Sequence, residues 1–136
     1  MSQNLSYNLL ALDIGDSKIG VARASVFAKI PQPLAKIAND ENLLENLKKL
    51  TEEYQANTII VGVPRNMSGE ETEQSKKIRN QVSNLKTKLK DINFIFVDES
   101  LSSVRAGDYI KVNNSRADED SISACYILEE YFTINK

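Results

Sequence analysis

Histidine and tryptophan are absent from the 136 residues, cysteine occurs once, and there are only three prolines and five glycines. Without histidine there is no Ser–His–Asp or Cys–His arrangement and no histidine-ligated zinc. An active site here has to be built from carboxylates, lysine, arginine, hydroxyls or backbone amides. Oxygen-only donors favour Mg²⁺ or Mn²⁺ over softer metals. The single cysteine, Cys125, cannot close an internal disulfide and reads as core packing in a reducing compartment. No apolar run approaches the ~20 residues that span a bilayer. The first eight residues carry neither a basic cluster nor a long apolar stretch, so the expectation is a cytoplasmic protein with no membrane partner. An excess of positive charge is also missing. Lysine and arginine number 17 against 19 acids, for a net charge of −2. That excludes a protein that coats nucleic acid and leaves room for a local basic patch.

What is present suits one compact domain covering residues 1–136. Apolar residues make up 41% of the chain and come in separated clusters, enough for a single core. Asn8 to Asp13 is an apolar run ending in an acid and reads as a buried strand. A turn holding Gly15 and Asp16 follows, then Lys18 to Ala24 alternates as a second strand, returning antiparallel. Phe27 to Ile37, with Pro31 and Pro33, supplies a third strand at an edge. Leu43, Leu47, Leu50 and Tyr54 share one stripe of a helix from Asp40 to Tyr54. Thr58 to Val63 is β-branched and apolar, a buried strand. Ser68 with Glu71 has the form of a capping box and opens a helix reaching about Lys90, with Ile78, Val82, Leu85 and Leu89 on its apolar face. Asn93 to Val97 is a further buried strand. Ser100 to about Val112 reads as helix, Lys111 to Ala117 as a polar loop, and Asp118 to Phe132 as a final helix. The whole is an α/β chain: a five-stranded mixed sheet, its first three strands antiparallel, with helices on both faces.

Three places set acids at the ends of apolar elements: Asp13 after the first strand, Asp98–Glu99 after the last, and Asp118–Glu119–Asp120 opening the final helix. If the first and last parallel strands are close, Asp13 and Glu99 meet, and the helix brings in a third acid. Clustered carboxylates repel one another, and a divalent cation relieves the repulsion while stabilising an in-line phosphoryl displacement. Each acid also has a plainer role, as a turn residue or, for Asp118, as a helix cap. The turn I-G-D-S-K-I-G is either a tight hairpin or a place where backbone approaches a phosphate. The stretch Gln74 to Lys90 carries Lys76, Lys77, Arg79, Lys86, Lys88 and Lys90 and no acid. It is either a ridge facing nucleic acid or a solvated face.

Four segments carry a resemblance. Ala11 to Ala22 (A-L-D-I-G-D-S-K-I-G-V-A) resembles the opening motif of the YqgF family of Holliday junction resolvase-like, pre-16S rRNA nuclease proteins. Val61 to Gly69 (V-G-V-P-R-N-M-S-G), Val97 to Ser103 (V-D-E-S-L-S-S) and Asp120 to Leu128 (D-S-I-S-A-C-Y-I-L) resemble the second, third and fourth motifs, in family order. The resemblance implies an RNase H-like fold and a metal-dependent nuclease that trims the 5′ end of the small-subunit ribosomal RNA precursor. A non-catalytic RNA-binding assembly module and a resolvase of branched DNA are the alternatives. Matched by position, Asp13, Glu99 and Asp120 are the implied catalytic and metal-ligating residues, with Mg²⁺ or Mn²⁺. Asp98 is a secondary candidate. Pro64, Asn66 and Gly69 match a loop bordering the site. Lys18, Arg65, Asn66, Lys76 and Arg79 are the candidate contacts to a nucleic-acid partner. The family usually has arginine at the positions of Lys18 and Ser100. The D-I-G-D-S stretch also resembles the first phosphate loop of actin-like and sugar-kinase ATPases, whose second domain 136 residues do not accommodate. The oligomeric state is not legible.

Overall fold

Two strands buried almost end to end set the centre of the sheet. β1 (Asn8–Ile14) and β4 (Ala56–Val63) are runs of Leu, Ile, Val and Ala whose side chains alternate between two covered faces. The computed structural model describes residues 7–64, 70–98 and 118–135. β2 (Lys18–Ser25) returns antiparallel on β1, and β3 (Gln32–Ala38) is antiparallel to β2. β4 lies parallel to β1 on its other side, and β5 (Asn93–Asp98) is parallel to β4. The order is β3-β2-β1-β4-β5. Pro33 is tolerated because β3 is an edge strand and the β2–β3 register shifts where Ala22 meets it.

Helices α1 (Leu43–Glu53) and α2 (Glu73–Lys88) cover one face. There Leu43, Leu47, Ile78, Val82 and Leu85 pack on Leu10, Leu12, Ile14, Ile19, Ile59 and Val61. Helix α3 (Glu119–Ile134) covers the other, on Leu9, Ala11, Ala22, Ala24, Ile60 and Val97. The sheet's small residues let this helix sit low, and Ser121 to Leu128 is buried without a break. Each large aliphatic side chain taken out of water in these two layers contributes about 1.5–3 kcal/mol. Cys125 is part of the α3 layer, where burial, and to a lesser degree the charge of Glu129, push its thiol up to about 12. It is core packing, as its apolar surroundings in the sequence imply.

Several boundaries differ from the expectations above: β3 starts at Gln32 rather than Phe27 and β4 at Ala56 rather than Thr58. The first helix starts at Leu43 rather than Asp40, because the Asp40 carboxylate accepts the Asn42 amide at 2.9 Å and closes a local turn that competes with helix. α2 starts at Glu73, capped by Thr72 and not by Ser68. Thr72 Oγ1 accepts from the Ser75 amide (3.1 Å) and Ser75 Oγ accepts from the Thr72 amide (2.9 Å), a reciprocal box built on a second hydroxyl instead of a glutamate. α2 ends at Lys88 and not Lys90. The helix expected over Ser100 to Val112, the loop expected from Lys111 to Ala117 and Ser68 itself lie outside the described residues. Among the described residues, no helix is long and apolar enough to cross a membrane.

Candidate active site

Asp13 is the penultimate residue of β1, and it breaks an otherwise apolar strand. Side chains of a strand alternate between faces. Leu9 and Ala11 belong to the α3 layer and Leu10, Leu12 and Ile14 to the other, so Asp13 stands on the α3 face, half-buried. Its cross-strand neighbour on β2 is Gly20. A β-carbon on Gly20 would overlap the backbone carbonyl of Asp120 and crowd the Ser121 amide. The first turn of α3 therefore rests directly on the glycine beside Asp13. Asp13 and Asp120 come from opposite ends of the sequence and are joined by that contact. The second motif supplies Gly62 on the other side. Ile60 faces α3, so Gly62 does too, and continuing the register Leu12–Val61–Phe96 by one residue sets Asp13 level with Gly62 and Val97. Asp13 thus stands between two glycine positions, and the one on β2 is covered by the backbone of the first turn of α3.

The three acids that open α3 divide their work. Asp118 is the N-cap, its Oδ1 accepting the Ser121 amide at 2.8 Å. Glu119 is exposed and Asp120 half-buried. Both sit in the first turn, where the positive end of the helix dipole favours a carboxylate. Asp120 is the one whose backbone touches Gly20. Asp98 ends β5, one residue past Val97, so alternation directs it to the α1–α2 face, away from Asp13. The first and last parallel strands are not neighbours: β4 lies between β1 and β5, two steps of about 4.8 Å. Glu99, Arg65, Asn66 and Gly69 lie outside the described residues.

The turn after Asp13 is held from outside. The Gly15 amide donates to the Lys18 carbonyl at 2.9 Å, and a β-carbon at Gly15 would stand 2.9 Å from that same oxygen. Asn39 Nδ2 donates to the Gly15 carbonyl (2.7 Å), and Gln81 Nε2 of α2 donates to Asn39 Oδ1 (2.7 Å). Gln74 Nε2 reaches the Ile14 carbonyl at 3.4 Å. Asn39, Gln74 and Gln81 fix the backbone that carries Asp13. They look in the sequence like ordinary polar residues of a loop and a helix face, and only the packing of α2 against the β1–β2 turn gives them this task.

Lys18 begins β2 on the same face as Gly20 and is exposed. Lys76 and Arg79 are elsewhere. Both are on α2, across the sheet from Asp13 and Asp120. Lys76 pairs with Glu73 at 3.7 Å, and Arg79 Nε bonds Glu71 Oε1 at 2.8 Å while its guanidinium lies 4.7 Å from the Phe96 ring centroid. The structure does not bring the basic face of α2 to the acidic pair.

The donor chemistry suits a divalent cation. Asp13 is on the sheet face that α3 covers, Asp120 is in the first turn of that helix, and carboxylate oxygens are the donors that Mg²⁺ and Mn²⁺ prefer. Among the described residues no group of three or more such ligands occurs.

Residues 7–134 match the family RuvX, described as Holliday junction resolvase. A protein of Sulfurihydrogenibium named "Putative pre-16S rRNA nuclease" is 39% identical over 127 residues, covering 90% of this chain and 88% of its own length. One of the same name from Fusobacterium nucleatum is 35% identical over 136 residues, covering 93% and 97%. Among solved structures, Thermus thermophilus RuvC in complex with a Holliday junction aligns with a TM-score of 0.59 at 9% identity over 94% of this chain and 95% of that one. The fowlpox virus Holliday junction resolvase aligns with a TM-score of 0.53 at 12% identity over 94% and 98%. At these identities the likeness is one of fold, and the fold is RNase H-like. With the match spanning nearly all of its length, the chain belongs to the RuvX Holliday junction resolvase family.

Proposed function

We propose that this protein is a divalent-metal-dependent nuclease of the cytoplasm whose substrate is the 5′ region of precursor 16S ribosomal RNA. The observation that supports the reading is the contact at Gly20, where the backbone of the first turn of α3 rests on the residue paired with Asp13. The relatives at 35–39% identity bear the ribosomal RNA name, which favours RNA over branched DNA.

In this reading Asp13 and Asp120 hold Mg²⁺ or Mn²⁺, and Glu99 supplies the third carboxylate. Such an ion, when bound, would supply Lewis-acid stabilisation of the charge on the phosphate oxygens. The chain's own groups do the rest. The carboxylates orient a water for in-line attack on phosphorus. With no histidine in the chain, a carboxylate accepts the proton released as the new P–O bond forms. The bridging P–O bond breaks, leaving one hydroxyl end and one phosphomonoester end. Lys18 lies against the substrate phosphates. Arg65 and Asn66, from the second motif, border the site. Lys76 and Arg79, on the opposite face, are outer contacts for a longer stretch of substrate.

The test is cleavage of a precursor 16S RNA fragment and of a four-way DNA junction by wild type and Asp13→Asn, with Mg²⁺, Mn²⁺ or EDTA. The expected result is metal-dependent cleavage of the RNA, a loss of at least about 10³-fold in Asp13→Asn with an unchanged circular dichroism spectrum, and little action on the junction. Undiminished cleavage by Asp13→Asn would remove Asp13 from the site. Cleavage of the junction alone would move the substrate to DNA.

A further inference from the structure

On the face that carries Asp13, the sheet register sets a second lysine beside Lys18. Lys36 of β3 pairs with Gly20 of β2, and Lys18 pairs with Ala38. Residues paired across strands share a face. Lys36, Gly20 and Asp13 therefore form one row across β3, β2 and β1, with the first turn of α3 resting on the middle member. Lys18 and Lys36 are diagonal neighbours about Gly20, roughly 7–8 Å apart at the backbone, close enough for two ammonium groups to serve one phosphate or two consecutive ones. Both side chains are exposed, and neither is in an ion pair among the described residues. Ile37 and Leu34 turn to the α1–α2 core, so β3 presents apolar groups there and this lysine on the catalytic face.

The balance of charge explains what the pair is for. The site end of this face bears Asp13 and the acids opening α3, a field that repels a polyanionic substrate. The cations of α2 are across the sheet, and two of them are engaged by Glu73 and Glu71. Among the described residues, Lys18 and Lys36 are the cations that the register brings to the flank of the acidic pair. We propose that Lys36, with Lys18, forms a phosphate clamp that holds the substrate backbone beside Asp13 and Asp120. This assignment rests on the nuclease reading above and adds the residue that seats the substrate on the β3 side.

A plainer role for Lys36 is to offset the acids at the start of α3, and salt dependence separates the two. Binding of a fluorescent precursor 16S RNA fragment, and in parallel a four-way DNA junction, is measured by anisotropy from 50 to 200 mM KCl, with Ca²⁺ in place of Mg²⁺ to suppress turnover. Lys36→Gln is expected to weaken binding about three- to tenfold and to lower the slope of log K against log salt by about 0.7–0.9, one phosphate contact. Lys36→Arg is expected to restore both. Lys48→Gln, on α1 across the sheet, is the control for a mere change in net charge and leaves the slope as in wild type. An unchanged slope in Lys36→Gln while wild type binds overturns the clamp and leaves the nuclease reading standing. A lowered melting temperature with an unchanged slope assigns Lys36 to α3 and overturns the clamp as well. Failure of wild type to bind either nucleic acid overturns both.

Discussion

Gly20 is the residue on which the geometry turns. It stands opposite Asp13, and its missing side chain is what lets the backbone of Asp120 and Ser121 come down onto the sheet. A methyl group there meets backbone, not a flexible side chain, so α3 has to lift or slide. Gly20→Ala is expected to destabilise the fold by about 1–3 kcal/mol, the usual cost of forcing atoms into a packed layer. Catalysis should suffer more than stability, because a shift of about 1 Å in a positioned group can cost about 10²-fold in rate. Thermal melting and the RNA cleavage assay on one preparation check this. A Gly20→Ala protein with wild-type melting and wild-type cleavage would show that α3 does not rest on this residue in solution. Little of this was visible beforehand. Gly20 reads in the sequence as one small residue inside an alternating strand, and nothing local tells that a helix a hundred residues later will sit on it. Asp13 was legible, because an acid ending a run of buried leucines calls for an explanation. So was the role of Asp118 as a cap, which sets it apart from Asp120.

At the level of elements, α2 is the support behind the β1–β2 turn. Gln74, in its first turn, and Gln81, about two turns further on, hold the Ile14 carbonyl and, through Asn39, the Gly15 carbonyl. Its start depends on the reciprocal box between Thr72 and Ser75. Thr72→Ala is expected to cost about 1 kcal/mol, within a range of about 0.5–2, measured as a shift of the urea midpoint at constant slope. Thr72→Ser should restore most of it. A midpoint unmoved in Thr72→Ala would place the start of the helix elsewhere. The pattern Ser68-x-x-Glu71 fits the usual rule, but α2 begins later in the chain, where Thr72 and Ser75 satisfy each other's amides and Glu71 accepts from Arg79. Strands were easier to read than helix ends. β1, β2 and β4 keep nearly the expected bounds, since a run of Leu, Ile and Val with period two admits few alternatives.

For the molecule as a whole, the antiparallel opening and the alternation of helix and strand were enough to give a mixed sheet covered on both faces. The order of strands was not. Asp13 and the end of β5 are separated by β4, and what adjoins β1 directly is β2 on one side, with α3 above it, and β4 on the other. The basic stretch of α2 shows the same limit. A helical wheel gathers its lysines and arginine on one side but says nothing of which face of the sheet the helix will cover, and α2 covers the face opposite Asp13. The account predicts that acids distant in the sequence close on one cation at the α3 face. A crystal soaked in Mn²⁺ and measured at the manganese edge tests this most directly. The predicted result is an anomalous peak bounded by carboxylate oxygens of Asp13 and Asp120, with a third acid completing it. A peak that bypasses Asp13, or refined oxygens of Asp13 and Asp120 too far apart to share an ion or an adjacent pair of ions, would contradict it.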